Sequence, residues 1–148
     1  MLLNKDNLML PVYYPSTKED FKDLIKSVNI NILLDYNRYF VKGKGRGWRL
    51  LSVTSGAENK GKSPSDVIRK LDKKARGLNL IEGFWLIVAY PEILNDHAID
   101  IIESKYSIEC VPTFFKWKSK VYLSAICPDT KDKMCGAPIV KGSTKLRY

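Results

Sequence analysis

Apolar positions recur at Phe21, Leu24, Ile25 and Val28, the i, i+3, i+4, i+7 stripe of an amphipathic helix. Ser16 and Glu19 stand three apart just upstream, with capping-box spacing, so a helix is predicted over residues 16–28, entered from Pro15. The β-branched run 30–34 reads as a short strand, and 36–41 and 48–54 as two more. Between those two lies Lys42-Gly43-Lys44-Gly45-Arg46-Gly47, a glycine-rich connection that predicts a hairpin. Ser63 then offers an N-cap, Pro64 suits the first helical position and Asp66 adds negative charge to the first turn. With Val67, Ile68 and Leu71 on one side, this predicts a helix over 64–76, stopped by Gly77. Asn79 and Glu82 form a second capping pair, for a helix over 80–89 that Phe84, Trp85, Leu86, Ile87 and Val88 make apolar nearly all round and hence buried. Pro91 ends it.

From residue 98 the pattern is that of strands. The runs 98–103, 108–117 and 121–127 are joined by short polar turns, which predicts an antiparallel β-meander in the C-terminal half. Pro112 inside the middle run implies an edge strand or a bulge. From about residue 128 the composition is that of turns, so the end reads as an irregular basic tail. Helix, strands, two helices, strands is the order of an α+β fold, a single domain over 1–148 whose antiparallel sheet packs against about three helices. The expected core is Phe21, Leu24, Ile25, Leu33, Val67, Leu71, Phe84, Trp85, Ile87, Val88, Ile101, Phe114 and Leu123.

Composition narrows the class. The 148 residues are 45% apolar, which excludes a wholly disordered chain, and a chain of this length folds without a disulfide or metal staple. The longest apolar run, 84–90, is far short of the roughly 20 residues a membrane helix needs, so no membrane partner is expected. Asn4-Lys5-Asp6-Asn7 interrupts the early apolar stretch, so no signal peptide is read there. Three cysteines without a C-x-x-C motif favour a reducing, cytoplasmic setting.

Charge changes the picture most. The chain carries a net +9, and residues 38–76 alone hold 12 basic against 3 acidic residues. Residues 77–109 hold 1 basic and 6 acidic, so the charge is strongly segregated. A basic stretch of this kind binds phosphates by releasing counterions, whatever the base sequence. The candidate anion or nucleic-acid contacts are Lys42, Lys44 and Arg46 in the glycine loop, Arg49 beyond it, and Arg69, Lys70, Lys73 and Lys74 on the helix after Ser63. The loop lacks G-K-[ST] and G-x-G-x-x-G, so it is not a nucleotide-binding fingerprint. The second helix of the pair is too apolar, with Glu82 in its first turn, to serve as a recognition helix in a major groove. Tyr36-Asn37-Arg38-Tyr39-Phe40 and Phe114-Phe115-Lys116-Trp117-Lys118 set aromatics among cations. Strand aromatics of this kind either stack bases or pair within a core, and no RNA-recognition-domain signature accompanies them.

Other chemistry is thinner. Cys110, Cys127, Cys135 and His97 have no zinc-site spacing, and no metal or cofactor is expected. Cys110 and Cys127 read as core residues, and His97 as a surface loop residue. Cys135, in a turn flanked by Lys133 and Lys141, is the one thiol whose pKa neighbouring cations would lower. The leading expectation is a binding module without enzymatic activity, whose basic surface contacts nucleic acid or another polyanion. The alternatives are a small enzyme or ligand-binding protein with a pocket near Cys135 and His97, and an interaction module for an acidic protein.

Gly77-Leu78-Asn79-Leu80-Ile81-Glu82-Gly83, Pro91-Glu92-Ile93-Leu94, Val111-Pro112 and Cys135-Gly136-Ala137-Pro138 together resemble a family of small bacterial proteins of unknown function, over roughly residues 63–138. The resemblance implies a bacterial cytoplasmic protein. It brings no assigned activity and so no catalytic residue.

Overall fold

The computed structural model describes residues 7–36, 47–103 and 110–145. The described strands form two sheets, and the fold is α+β. The first sheet is antiparallel throughout, in the order β1 (Leu8–Tyr14), β3 (Gly47–Val53), β9 (Ile139–Lys145), β4 (Arg76–Gly77). The second runs β2 (Ile30–Ile32), β7 (Lys120–Ile126), β6 (Val111–Trp117), β5 (Ala98–Asp100), β8 (Cys135–Gly136). Its centre, β5-β6-β7, is the expected antiparallel meander, while β2 and β8 join the two sides in parallel. Helices α1 (Lys18–Lys26), α2 (Pro64–Arg69), α3 (Leu80–Ala89) and α4 (Ile93–Asp96) complete the described elements.

The expectation of one antiparallel sheet and an irregular tail is corrected by β1 and β9. In β1, Leu8, Leu10, Val12 and Tyr14 are buried and alternate with exposed Met9, Pro11 and Tyr13, the period of a half-buried strand. Pro11 is tolerated because β1 is an edge strand, where a missing N–H removes no ladder bond. Helix α3 lies along that edge: the Trp85 indole N–H donates to the Tyr13 carbonyl at 2.9 Å and the Tyr90 hydroxyl to that of Met9 at 2.7 Å. Residues 135–140, read as tail, are buried throughout, and β9 sits between β3 and β4. The small residues there allow close approach rather than a turn: a Cβ on Gly136 would lie 2.2 Å from the Gly56 carbonyl oxygen.

Both edges of β3 are taken, by β1 and by β9, while the first arm of the hairpin expected across 36–41 and 48–54 falls, but for Tyr36, outside the described residues. Residues 37–46 lie outside the described residues, and with them Lys42, Lys44 and Arg46. Pro112 is neither on an edge nor in a bulge, since β6 is interior to its sheet. Its carbonyl accepts the Ile101 N–H at 2.8 Å, so its nitrogen faces the same side; lacking an N–H, it returns no bond to Ile101, and β5 ends at Asp100.

Thr17, not Ser16, caps α1, its hydroxyl accepting the Asp20 N–H at 3.1 Å. Ser63 caps α2 and Pro64 opens it, but the helix ends at Arg69 rather than 76. Arg76 and Gly77 are drawn off as β4 to pair with Val140 and Ile139, and the intervening residues must turn. Gly77 is required by contact and not as a helix stop, because a Cβ there would sit 2.0 Å from Ile102 Cγ1. The capping box of α3 forms as read, with Asn79 and Glu82 bonded reciprocally.

The main core gathers Phe21, Ile25, Phe84, Ile87, Ile101, Phe114 and Leu123, with Leu24 and Trp85 half-buried beside it. Val67 belongs to a second cluster with Ile102, Val111, Ala137 and Ile139, on which Leu71 packs. Leu33 and Val88, both expected in the core, are exposed: Leu33 follows edge strand β2, and Val88 lies on the solvent side of α3. At the heart of the molecule the fully buried Glu82 carboxylate accepts both Arg76 Nη1 and Nη2 at 2.7 Å, the Asn79 N–H at 2.9 Å and the Tyr14 hydroxyl. Burial, then the Glu82 charge, push the Tyr14 hydroxyl's pKa up, and the Glu82 hydrogen bonds raise that of Arg76. Both carboxylate oxygens are bonded by the guanidinium, which makes this a structural ion pair.

Candidate functional site

Where the two ends of the first sheet's central strands meet α2, the surface opens into a cleft of about 270 Å³. Val67 and Leu71 from α2 and the turn after it, with Ile139 from β9, form its apolar part. Thr54 fixes this corner: its N–H donates to the Ile139 carbonyl at 2.9 Å, and its hydroxyl oxygen accepts the Ile139 N–H at 3.1 Å. A 3-10 turn, Ala57–Asn59, then brings Glu58 and Asn59 to the rim. The Thr54 hydroxyl donates to the Glu58 carboxylate. The Asn59 amide is pinned to the Ala137 carbonyl at 2.8 Å, and Lys62 Nζ donates to the Asn59 oxygen at 3.4 Å.

Three cations reach this cleft from separate elements. Lys62 follows the 3-10 turn, Lys70 is the C-cap of α2, and Lys141 belongs to β9. Lys141 is placed by an irregularity in the ladder. Ser52 opposes Gly142 and Val53 opposes Val140, which leaves Lys141 as an extra, unmatched residue. A bulge of this kind re-aims a side chain out of the regular alternation. Glu58 is the one carboxylate lining the cleft, so its lining carries a net charge of +2.

Of the residues singled out from the sequence, Lys70 lies in the cleft. Lys73 and Lys74 are exposed in the turn between α2 and β4, close by in the chain. Arg69 is spent on an ion pair with Asp66, which Lys131 also approaches at 3.7 Å. Arg49 sits half-buried within β3, paired in register with Val12 and Lys145, and does not line the cleft. The sequence marks Lys141 only as a neighbour of Cys135 and Lys62 not at all, because the bulge and the 3-10 turn that aim them into the cleft are products of the fold.

The Cys135 and His97 reading is corrected on both residues. His97 is buried and not a surface loop residue; its Nδ1 lies 2.8 Å from Asp96 Oδ2 and its Nε2 2.7 Å from the Ser55 carbonyl. Parallel pairing of β5 with β8 sets Ala98 opposite Cys135, so the two residues are neighbours. Cys135 is buried too. Burial first, then the charges of Asp100 and Asp132, push its thiol up to about 12, the reverse of activation. Neither residue lines the cleft. Cys110 is half-buried and Cys127 exposed, so neither is a core residue as expected. Among the described residues no group of three or more His, Cys, Asp or Glu could hold a metal ion. No described helix is long and apolar enough to cross a membrane.

The candidate aromatics divide. Phe114 is fully buried, Tyr36 packs on Phe21 with ring centroids 6.0 Å apart, and Trp117 is exposed. No protein-family model, curated protein or solved structure matches this chain.

Proposed function

We propose that this protein is a binding module for nucleic acid, holding phosphates through the lysines of the cleft and of the adjoining turn. One observation carries the reading: Lys62, Lys70 and Lys141 converge on a single cleft from three separate elements, with one carboxylate between them. Lysines act on phosphate as point charges, and six arginines against 19 lysines favour backbone contact over base-specific readout, which draws on bidentate Arg. Binding rather than catalysis is favoured by the neutral, buried thiol of Cys135 and by the engaged nitrogens of His97. The free state of Cys110, Cys127 and Cys135 agrees with a reducing cytoplasm, and the resemblance of the C-terminal half points to a bacterial one.

The test is a titration of labelled oligonucleotides at several salt concentrations. Micromolar affinity should fall steeply with salt, with a log–log slope of roughly −0.7 to −0.9 per phosphate neutralised. Charge reversal of Lys62, Lys70 and Lys141 to Glu should weaken binding at least tenfold and flatten that slope, and Lys73 and Lys74 should add to the loss. Absence of binding at low salt would refute the proposal.

A further inference from the structure

The β6–β7 hairpin turns at Lys118 and Ser119, with Trp117 paired to Lys120 across it. Both turn residues are left-handed, at φ 49° and 63°. Two-residue hairpins require such angles, but Asn-Gly or Asp-Gly normally supplies them at little cost. A Lys-Ser pair holds them under strain, and strain of this kind collects where a segment has a task beyond folding.

What the turn holds in place is an aromatic surface. Phe115 and Trp117 on β6 share one face with Tyr122 on β7. Phe115 and Tyr122 are stacked, centroids 5.3 Å apart and planes 12° from parallel, and Trp117 stands edge-on to Tyr122 at 6.3 Å. Trp117 is 56% exposed, far more than a core indole. Lys118 Nζ lies 4.6 Å from the centre of its ring, and Lys120 flanks it. Neither lysine pairs with a carboxylate among the described residues.

We propose that this hairpin face is a stacking platform for the bases of single-stranded nucleic acid, with Trp117 as its outer ring and Lys118 and Lys120 taking the adjoining phosphates. Every base offers a π-face, so aromatics flanked by cations bind single strands with little sequence preference. In a duplex the base faces are already stacked on one another, and the indole has nothing to cover. Charge decides against a protein occupant of ordinary composition, since two unpaired lysines border the exposed ring. The proposal rests on the nucleic-acid reading above but uses different residues, and it adds a preference for unpaired strands that the cleft alone does not supply.

The experiment measures fluorescence anisotropy of a labelled 12-nucleotide single strand and of the matching duplex, with wild type, Trp117→Ala and Trp117→Phe. Wild type should bind the single strand at least tenfold more tightly. Trp117→Ala should lose about tenfold on the single strand, change little on the duplex and keep its salt dependence, while Trp117→Phe should recover most of the loss. Quenching of tryptophan emission by the single strand should disappear in Trp117→Ala. Equal binding of strand and duplex, or an unaffected Trp117→Ala, would overturn the platform and leave the lysine cleft standing. Failure to bind either form would overturn both.

Discussion

Asp100 should make the stability of this protein depend on pH in the direction opposite to most carboxylates. It ends β5, is 1% exposed, and its Oδ1 is buried with no hydrogen-bond partner among the described residues. Burial is the first cause, and the charge of Asp132 a lesser one, pushing its pKa from an ordinary 3.8 up to about 7 against a hydrogen bond from Thr113 that lowers it. The surroundings suit the protonated form: a neutral carboxyl can donate to the Thr113 oxygen, whose hydroxyl donates onward to the Ile99 carbonyl at 3.1 Å. The folded protein therefore keeps a proton that the unfolded chain releases above about pH 4. Stability is full below that pH and is lost as pH rises through about 7, the whole linkage amounting to roughly 4 kcal/mol. Asp100→Asn keeps the shape and removes the charge. Urea unfolding at pH 4.5, 6 and 8 should find the variant close to wild type at the lowest pH and more stable at pH 8 by about 2–4 kcal/mol. A stability difference that stays constant across this range would refute the reasoning, because it would mean that the carboxyl ionises in the fold as freely as it does outside it.

Three other outcomes follow from the fold. Arg76→Ala leaves the Glu82 charge buried and unpaired, so urea denaturation should show a loss of about 3–5 kcal/mol, and Arg76→Lys, unable to bond both carboxylate oxygens, should restore only part. A loss under about 1 kcal/mol would mean that water reaches Glu82. Iodoacetamide at pH 8, followed by peptide mass mapping, should label exposed Cys127 well before Cys135, whose thiol is buried and raised to about 12; faster labelling of Cys135 would contradict its placement. Replacing Lys118 and Ser119 by Asn and Gly should raise stability by about 1–2 kcal/mol, by relieving two left-handed residues, and should weaken single-strand binding together with the loss of the Lys118 cation.

What could be read from the sequence was what is local in the chain. Ser63-Pro64 and the Asn79–Glu82 box satisfy donors within one turn of helix, so four residues contain the whole signal. The β5-β6-β7 meander was legible for a similar reason, since its partners follow one another and its connections are short. The first sheet was not, because β3 finds its neighbours in β1 and β9, at the two ends of the described chain. The alternation of Leu8, Leu10, Val12 and Tyr14 is present in the sequence, but Pro11 argues against a strand there unless the strand lies at an edge. Gly136 and Pro138 carry turn composition, and only the pressure of Gly56 on Gly136 shows why a glycine is needed in a buried strand. The burial of His97 and Cys135 likewise depends on β8 lying beside β5. At the cleft, Lys70 was visible as part of a charge cluster. Lys62 and Lys141 became its neighbours only through a 3-10 turn and a one-residue slip in a ladder.

The position of β9 also sets a timetable for synthesis. The strand that joins β3 to β4 is the last described element to leave the ribosome, so during translation β3 waits with one edge open while most of the chain is made. Closing that gap means bringing together segments far apart in sequence, a slow kind of step, and an open apolar edge invites pairing with another nascent chain. A stop codon just before Ile139 would therefore do more than shorten the chain: it would leave the sheet split between two elements with nothing to join them, and Lys141 would be gone from the cleft.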